Sequence, residues 1–200
     1  MEKLLFVDAT VRPRGLSRTA ALADRFLNAY RAAHQGNTVV ERKLVDLPLS
    51  PHTAQGLVER DRLLAAGATD DCRFELAREF ASADRLVIAA PFWDLSFPAI
   101  LKIYIENISV CGLTFGFDGN RMFGLCRSKR LLYITTRGGD FSGADRDMEM
   151  ALPQLNAYSK MFGLGPVSCI SADGIDIFGA DSAAILEKAA LEAERLAADF

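Results

Sequence analysis

The stretch RLVIAAPFWDLSFPAILKIYIENISVCGLTFGF, Arg85 to Phe117, decides how the whole chain is read. Its first part, Leu86-Val87-Ile88-Ala89-Ala90, is too apolar to have a wet face, so it predicts a strand buried on both sides. Pro91 breaks that strand and opens a loop carrying Phe92, Trp93 and Phe97. Pro98 stands where the first turn of a helix accepts proline, because the missing N–H would have no partner there. Ala99 to Ile108 then places Ile100, Leu101, Tyr104, Ile105 and Ile108 on one apolar face. A buried parallel strand that ends in a loop and feeds a helix is where open α/β sheets bind ligands. An aromatic loop at that point suits a planar one.

Outward from this stretch, strands and helices alternate. Leu4 to Val7 predicts a strand and Ser17 to Ala33 a helix with Leu22, Phe26, Leu27 and Tyr30 on one side. Thr38 to Leu44 alternates apolar and charged residues, which predicts an edge strand. Leu47 to Gln55, with two prolines, is a loop, and the charged segment Gly56 to Ser82 holds one or two helices. Leu131 to Thr135 is the fourth strand and Val167 to Ser171 the fifth. Asp147 to Phe162 is helical with a kink expected at Pro153, and Ala183 to Ala198 closes the chain as an amphipathic helix. Val110 to Arg127 interrupts this alternation. Its Thr114-Phe115-Gly116-Phe117 predicts a short extra hairpin able to pack on a ligand or a second subunit. Five strands joined by helical crossovers imply an α/β fold: a doubly wound, parallel sheet of order 2-1-3-4-5 with helices on both faces, in one domain spanning residues 1–200.

Composition narrows the function classes. Half of the 200 residues are hydrophobic, which supplies a core without metal or disulfide support. A net charge of −3 argues against a nucleic-acid or anionic-membrane partner. It is also mild for a one-electron carrier that docks on basic proteins. Met1-Glu2-Lys3 leads directly into a strand rather than a signal peptide, and no run is long and apolar enough to span a membrane. Cys72, Cys111, Cys126 and Cys169 lack metal-ligand or paired spacing, so no metal site is expected, and a reducing, cytoplasmic location is. Cys169, inside a strand, reads as a small core residue.

Three loops carry residues suited to binding. The first, Asp8 to Thr19, contains neither of the common dinucleotide or triphosphate glycine patterns. Its hydroxyls at Thr10, Ser17 and Thr19, the free N–H groups of a helix start, and Arg12, Arg14 or Arg18 favour one phosphate dianion. An ordinary helix cap by Ser17 with solvated arginines explains the same residues when this loop is taken alone. The second, Pro91 to Pro98, offers Phe92 and Trp93 to a flat ring, or Trp93 as a plug on the core. The third, Thr135-Thr136-Arg137-Gly138-Gly139, has two glycines that permit close backbone approach and whose N–H groups suit a developing negative charge. All three follow neighbouring central strands of the expected order, and together they suit FMN: phosphate, ring face and polar ring edge.

At these residues the chain resembles the flavodoxin-like NAD(P)H-dependent oxidoreductases, which include FMN-dependent NADH azoreductases and NAD(P)H:quinone oxidoreductases. The family's loop pattern P-[MF]-[YW]-N-[FL]-S-x-P-A-x-L-K-x-[YW]-[IF]-D, followed by G-x-T-F, reads here as Pro91 through Glu106 and then Gly112-Leu113-Thr114-Phe115. The S/T-R-G-G turn matches Thr136 to Gly139. The resemblance is weakest from Pro48 to Ala81. It implies that Thr10, Ser17, Arg18 and Thr19 hold the FMN phosphate, that Pro91, Phe92, Trp93, Asp94 and Leu95 line the ring, and that Thr136, Arg137, Gly138 and Gly139 meet the pyrimidine edge. It further implies a homodimer, NADH or NADPH as donor, a quinone or azo acceptor taking turns with the donor in a ping-pong cycle, and an apolar acceptor slot from Phe92, Phe97, Phe115 and Phe117. One departure stands out: Asp94 replaces the asparagine of familiar azoreductases. The change is mild if only its backbone meets the flavin, whereas a carboxylate facing the ring would lower the flavin's potential. The alternative class is a flavodoxin-like electron carrier or flavin-sensing module without turnover.

Two decoys are set aside. Cys72 to Arg78 has the C-x5-R spacing of a phosphatase loop but an acidic residue, no glycine and a helical pattern. His34 and His52 have no partners at catalytic spacing and read as surface residues.

Overall fold

The computed structural model describes residues 1–200. Its centre is β3 (Arg85–Ala89), flanked on one side by β1 (Lys3–Asp8) and on the other by β6 (Leu131–Thr136). β2 (Thr38–Lys43) and β7 (Val167–Ala172) close the two edges, so the parallel order is β2-β1-β3-β6-β7. This is the expected 2-1-3-4-5 order once the inserted hairpin is left out of the numbering. Register pairs Phe6 with Val87 and Ile88 with Tyr133.

Alternation along each strand divides the core in two. Leu5, Val7, Leu86, Ile88, Leu131 and Tyr133 point to the face covered by α3 (Glu75–Ser82), α4 (Ala99–Ile108) and α5 (Ala151–Phe162). Leu4, Phe6, Val87, Ala89, Leu132 and Ile134 point to the face covered by α1 (Arg18–Ala33) and α6 (Ser182–Asp199). β3 and β6 are buried almost throughout, as their unbroken apolar runs require. β2 is partly exposed at its edge and alternates charge with apolar residues. The charged segment resolves into α2 (Ala54–Ala65) and α3, joined by a short helical turn.

Two expectations need correction. The helix expected from Asp147 begins at Ala151, after a separate turn at Arg146–Met148. Pro153 therefore lies in its first turn, where backbone N–H groups have no intrahelical acceptor, and there is no call for a kink. The histidines are half-buried rather than loose on the surface. His34 lies tilted against the Tyr30 ring and meets the Ala197 carbonyl at 3.0 Å, and His52 meets the Glu106 carbonyl at 3.3 Å.

The Val110–Arg127 insertion forms the antiparallel hairpin β4 (Phe115–Asp118) and β5 (Arg121–Gly124). It is rooted at the amino-terminal edge of the sheet: Cys126 donates to Phe162 and Arg127 to Ala81, just before β3 begins. Gly124 lies so close to the end of α5 that a Cβ there would sit 1.9 Å from the Gly163 nitrogen. No helix is long and apolar enough to cross a membrane.

Tyr104, fully buried beside Phe80, has a hydroxyl with no hydrogen-bond partner. Burial also drives its pKa far upward. An unsatisfied buried hydroxyl costs about 1–3 kcal/mol. Tyr104→Phe is therefore expected to raise unfolding stability by about 1 kcal/mol, read as a higher urea midpoint at unchanged slope.

Candidate functional site

The carboxyl ends of β1, β3, β6 and β7 open onto one cleft of about 280 Å³. Its first wall is the β1–α1 loop and the start of α1: Val11, Arg12, Leu16, Ser17, Arg18 and Thr19. Ser17 is the N-cap, its hydroxyl oxygen accepting from the Ala20 N–H at 3.2 Å. That uses an acceptor lone pair and leaves the O–H free to donate. The N–H groups of Arg18 and Thr19, in the first turn, donate to nothing in the protein. Thr19 and Thr136 share a 2.7 Å hydroxyl contact that ties α1 to the end of β6 beneath the cleft.

The second wall is Pro91, Phe92 and Trp93. Beyond it the chain makes a tight turn, with Trp93 and Ser96 exchanging backbone hydrogen bonds at 3.0 and 2.8 Å. Asp94 and Leu95 sit at its centre with φ of 47° and 63°, both in the left-handed region. Their N–H groups are unpaired. Asp94's side chain is exposed and bonds to nothing, and it does not line the cleft. Leu95 is exposed, and its carbonyl accepts from Met150 at 3.0 Å.

The third wall is Thr136 and Gly138. The N–H groups of Gly138 and Gly139 are also unpaired. A Cβ on Gly138 would lie 2.9 Å from a carboxylate oxygen of Asp176, so a side chain there would crowd the wall.

Ile175 and Asp176 complete the lining. They belong to the loop after β7, which sequence reasoning did not select. The available signal was topological, because β7 is parallel to β6 and its following loop must emerge at the same edge.

Other selected residues lie elsewhere. Thr10 is buried and gives both its N–H and its hydroxyl to Asp8, at 2.9 and 2.6 Å, so it shapes the loop from beneath. Arg14 is held by Asp24, with Asp8 and Glu41 within 4 Å, and does not line the cleft. Arg137 is buried, ion-paired to Glu149 at 3.3 Å and Asp173 at 3.2 Å, with its guanidinium 5.5 Å above the Phe92 ring. It braces the walls rather than lining them. Phe97 is buried in the core. Phe115 and Phe117 sit on the hairpin, which is rooted at the opposite edge of the sheet, so the structure does not bring them to this chain's own cleft.

Two of the cysteines are chemically quiet. Burial pushes the Cys126 and Cys169 thiols up to about 12, far from thiolate formation at neutral pH. Cys72 and Arg78 of the phosphatase-like spacing lie on consecutive helical turns, and Arg78 donates to the carbonyls of Thr69 and Asp71.

The residues present fit a phosphorylated, planar ligand. Unpaired backbone donors and a free hydroxyl proton stand at a helix N-terminus on one side, and an aromatic wall with unpaired glycine N–H groups stands on the other. The comparisons with known proteins agree with this anatomy. A family model described as flavodoxin-like fold matches residues 2–197. The FMN-dependent NADH:quinone oxidoreductase 2 of Clostridium acetobutylicum is 34% identical over 201 residues, with 100% of each chain covered. The FMN-dependent NADH:quinone oxidoreductase of Coprothermobacter proteolyticus is 33% identical over 204 residues, again with 100% of each covered. Among solved structures, the azoreductase from Bacillus anthracis str. Sterne superposes with a TM-score of 0.90 at 27% identity and covers 100% of both chains. The likeness therefore spans the whole chain, and the chain belongs to the flavodoxin-like family that includes the FMN-dependent NADH:quinone oxidoreductases.

Proposed function

We propose that the chain is an FMN-dependent NADH:quinone oxidoreductase that also reduces azo compounds. The observation that carries this reading is the cleft itself: a phosphate-suited helix start facing an aromatic wall across unpaired glycine N–H groups. FMN, when bound, supplies the two-electron chemistry, with NADH or NADPH as donor and the acceptor entering after the donor has left.

The chain's own residues bind and orient. The Ser17 hydroxyl, the Arg18 and Thr19 N–H groups and the uncommitted Arg12 hold the phosphate. Phe92 and Trp93 flank the ring and exclude water from one side. The N–H groups of Gly138 and Gly139 stabilise negative charge at the ring's polar edge. No side chain in the cleft needs to act as a strong acid or base.

The hairpin supports a homodimer. Phe117 and Met122, paired across this short element, form an exposed apolar patch on one of its faces, and Phe123 is exposed on the other. Packing it on a second copy would bury the patch, and would let Phe117 serve the partner's cleft although it cannot serve its own. The exposed thiols of Cys72 and Cys111 fit a reducing, cytoplasmic setting.

The direct test is an anaerobic visible spectrum of the FMN-loaded protein. Addition of NADH is expected to bleach the oxidised-flavin band, and a quinone to restore it, with NADPH compared side by side. Flavin that stays yellow with both donors would instead favour an electron carrier or sensor. Ser17→Ala removes both a phosphate donor and a helix cap. It is expected to weaken FMN roughly ten- to a hundredfold and to lower apoprotein stability by about 1 kcal/mol, the two read by titration and by denaturation. Replacing Phe117 and Phe123 together by glutamate should give a folded monomer in sedimentation. An unchanged dimer would place the interface elsewhere.

A further inference from the structure

Arg18 and Asp176 face each other across the mouth of the cleft. Nη1 and Nη2 of Arg18 donate to Oδ1 and Oδ2 of Asp176 at 2.7 and 3.1 Å, a two-pronged pair. This is the same fork with which arginine grips a phosphate. Asp176 is anchored by its backbone: its N–H donates to the Gly138 carbonyl at 3.0 Å, and that of Ile175 to the Arg137 carbonyl at 3.2 Å. Its carboxylate therefore lies against the Gly138 wall, inside the cleft lining.

The pair does little for the fold. Both side chains are substantially exposed, at 42% and 59%, and such pairs add almost nothing to stability. Hydrogen bonds from Arg18 hold the Asp176 carboxyl below the usual carboxylate range, with Arg12 adding to the effect, so it keeps its charge at neutral pH. Every other polar group of this wall suits an anion. Asp176 alone opposes one, and it does so from the position an anion would take on Arg18.

We propose that Asp176 is an internal stand-in for the ligand phosphate: its carboxylate occupies the Arg18 fork in the unloaded protein and is displaced when the phosphate binds. The identity of the ligand as FMN rests on the functional reading above, whereas the exchange of one anion for another on Arg18 does not. Asp176 thereby sets the affinity for phosphorylated ligands below what the loop itself offers, and leaves unphosphorylated ligands unaffected.

The test is Asp176→Asn, an isosteric change at an exposed position. FMN is expected to bind the variant about three- to thirtyfold more tightly than wild type, as both the competing pair and the charge beside the phosphate are lost. Riboflavin, which lacks the phosphate, should bind both proteins alike. Inorganic phosphate alone should raise the melting temperature of the variant more than that of wild type. Unchanged or weaker FMN binding by the variant would overturn the proposal, and weaker binding would show the pair to be a strap that keeps the cleft in shape. If neither protein binds FMN yet phosphate still favours the variant, the proposal stands and the FMN reading falls. If phosphate acts alike on both, the proposal falls as well.

Discussion

The structure depends on one constraint: β3 is buried on both faces and paired on both edges, so nothing about it can be left to water. Its pairing with β1 and β6 is parallel, the arrangement that puts helices on both faces of a sheet. Its neighbours β1 and β6 inherit the same requirement, and their apolar residues divide between two helical layers. Parallel pairing then delivers every strand's carboxyl end to one edge of the sheet. The cleft is a consequence of that edge. Chemistry-bearing loops far apart in sequence meet there because the core leaves them nowhere else to go.

Within the cleft, the residues that hold its shape are distinct from those that line it. Asp8 folds the first loop over itself through Thr10. The Thr19–Thr136 contact fastens the start of α1 to the end of β6. Arg137 joins the ends of β6 and β7 to the start of α5 and lies over Phe92. Glu149, its partner, also accepts from the Leu152 N–H at 3.1 Å and so caps that helix. A buried cation with two carboxylates is expensive to desolvate unless its geometry is held from several sides. Here three loops hold it, and in return their relative positions are set. The backbone donors of the cleft, the N–H groups of Arg18, Thr19, Gly138 and Gly139, stay unpaired after this bracing.

This division explains what the sequence could and could not disclose. The strands and helices were legible because periodicity and burial speak for each element by itself, and so was the edge at which the site lies. Ser17, Phe92, Trp93 and Gly138 were legible because a helix cap, an aromatic loop and a glycine turn have local signatures. Whether a polar residue faces the ligand or braces the loop is not local. Thr10 and Arg137 look like binding residues by type, and only their partners Asp8, Glu149 and Asp173 show that their side chains are already committed. Asp176 went unselected for the converse reason: an acid in a phosphate cleft contradicts the pattern being sought. Phe117 lies apart from its own chain's cleft for a topological reason, because its hairpin hangs from the far edge of the sheet.

Backbone conformation accounts for one of the two residue types at the Asp94–Leu95 turn and not for the other. Two consecutive residues with positive φ are needed to close a two-residue turn of this hand, and a non-glycine residue there costs roughly 1–2 kcal/mol. Asparagine and aspartate tolerate that backbone better than other side chains, so the residue type at 94 is explained by conformation before any contact is considered. The Asp94 side chain itself is exposed, forms no hydrogen bond and is absent from the cleft lining. Leu95 is harder to account for by conformation, because leucine gains nothing from a left-handed φ. Its side chain is exposed beside Trp93, and its carbonyl ties the turn to the start of α5 through Met150. Strain held in place by neighbouring structure, next to unpaired N–H groups and an aromatic wall, is the backbone signature of a binding loop. The closing bonds between Trp93 and Ser96 hold this backbone in place and leave the Asp94 and Leu95 N–H groups without an acceptor in the chain.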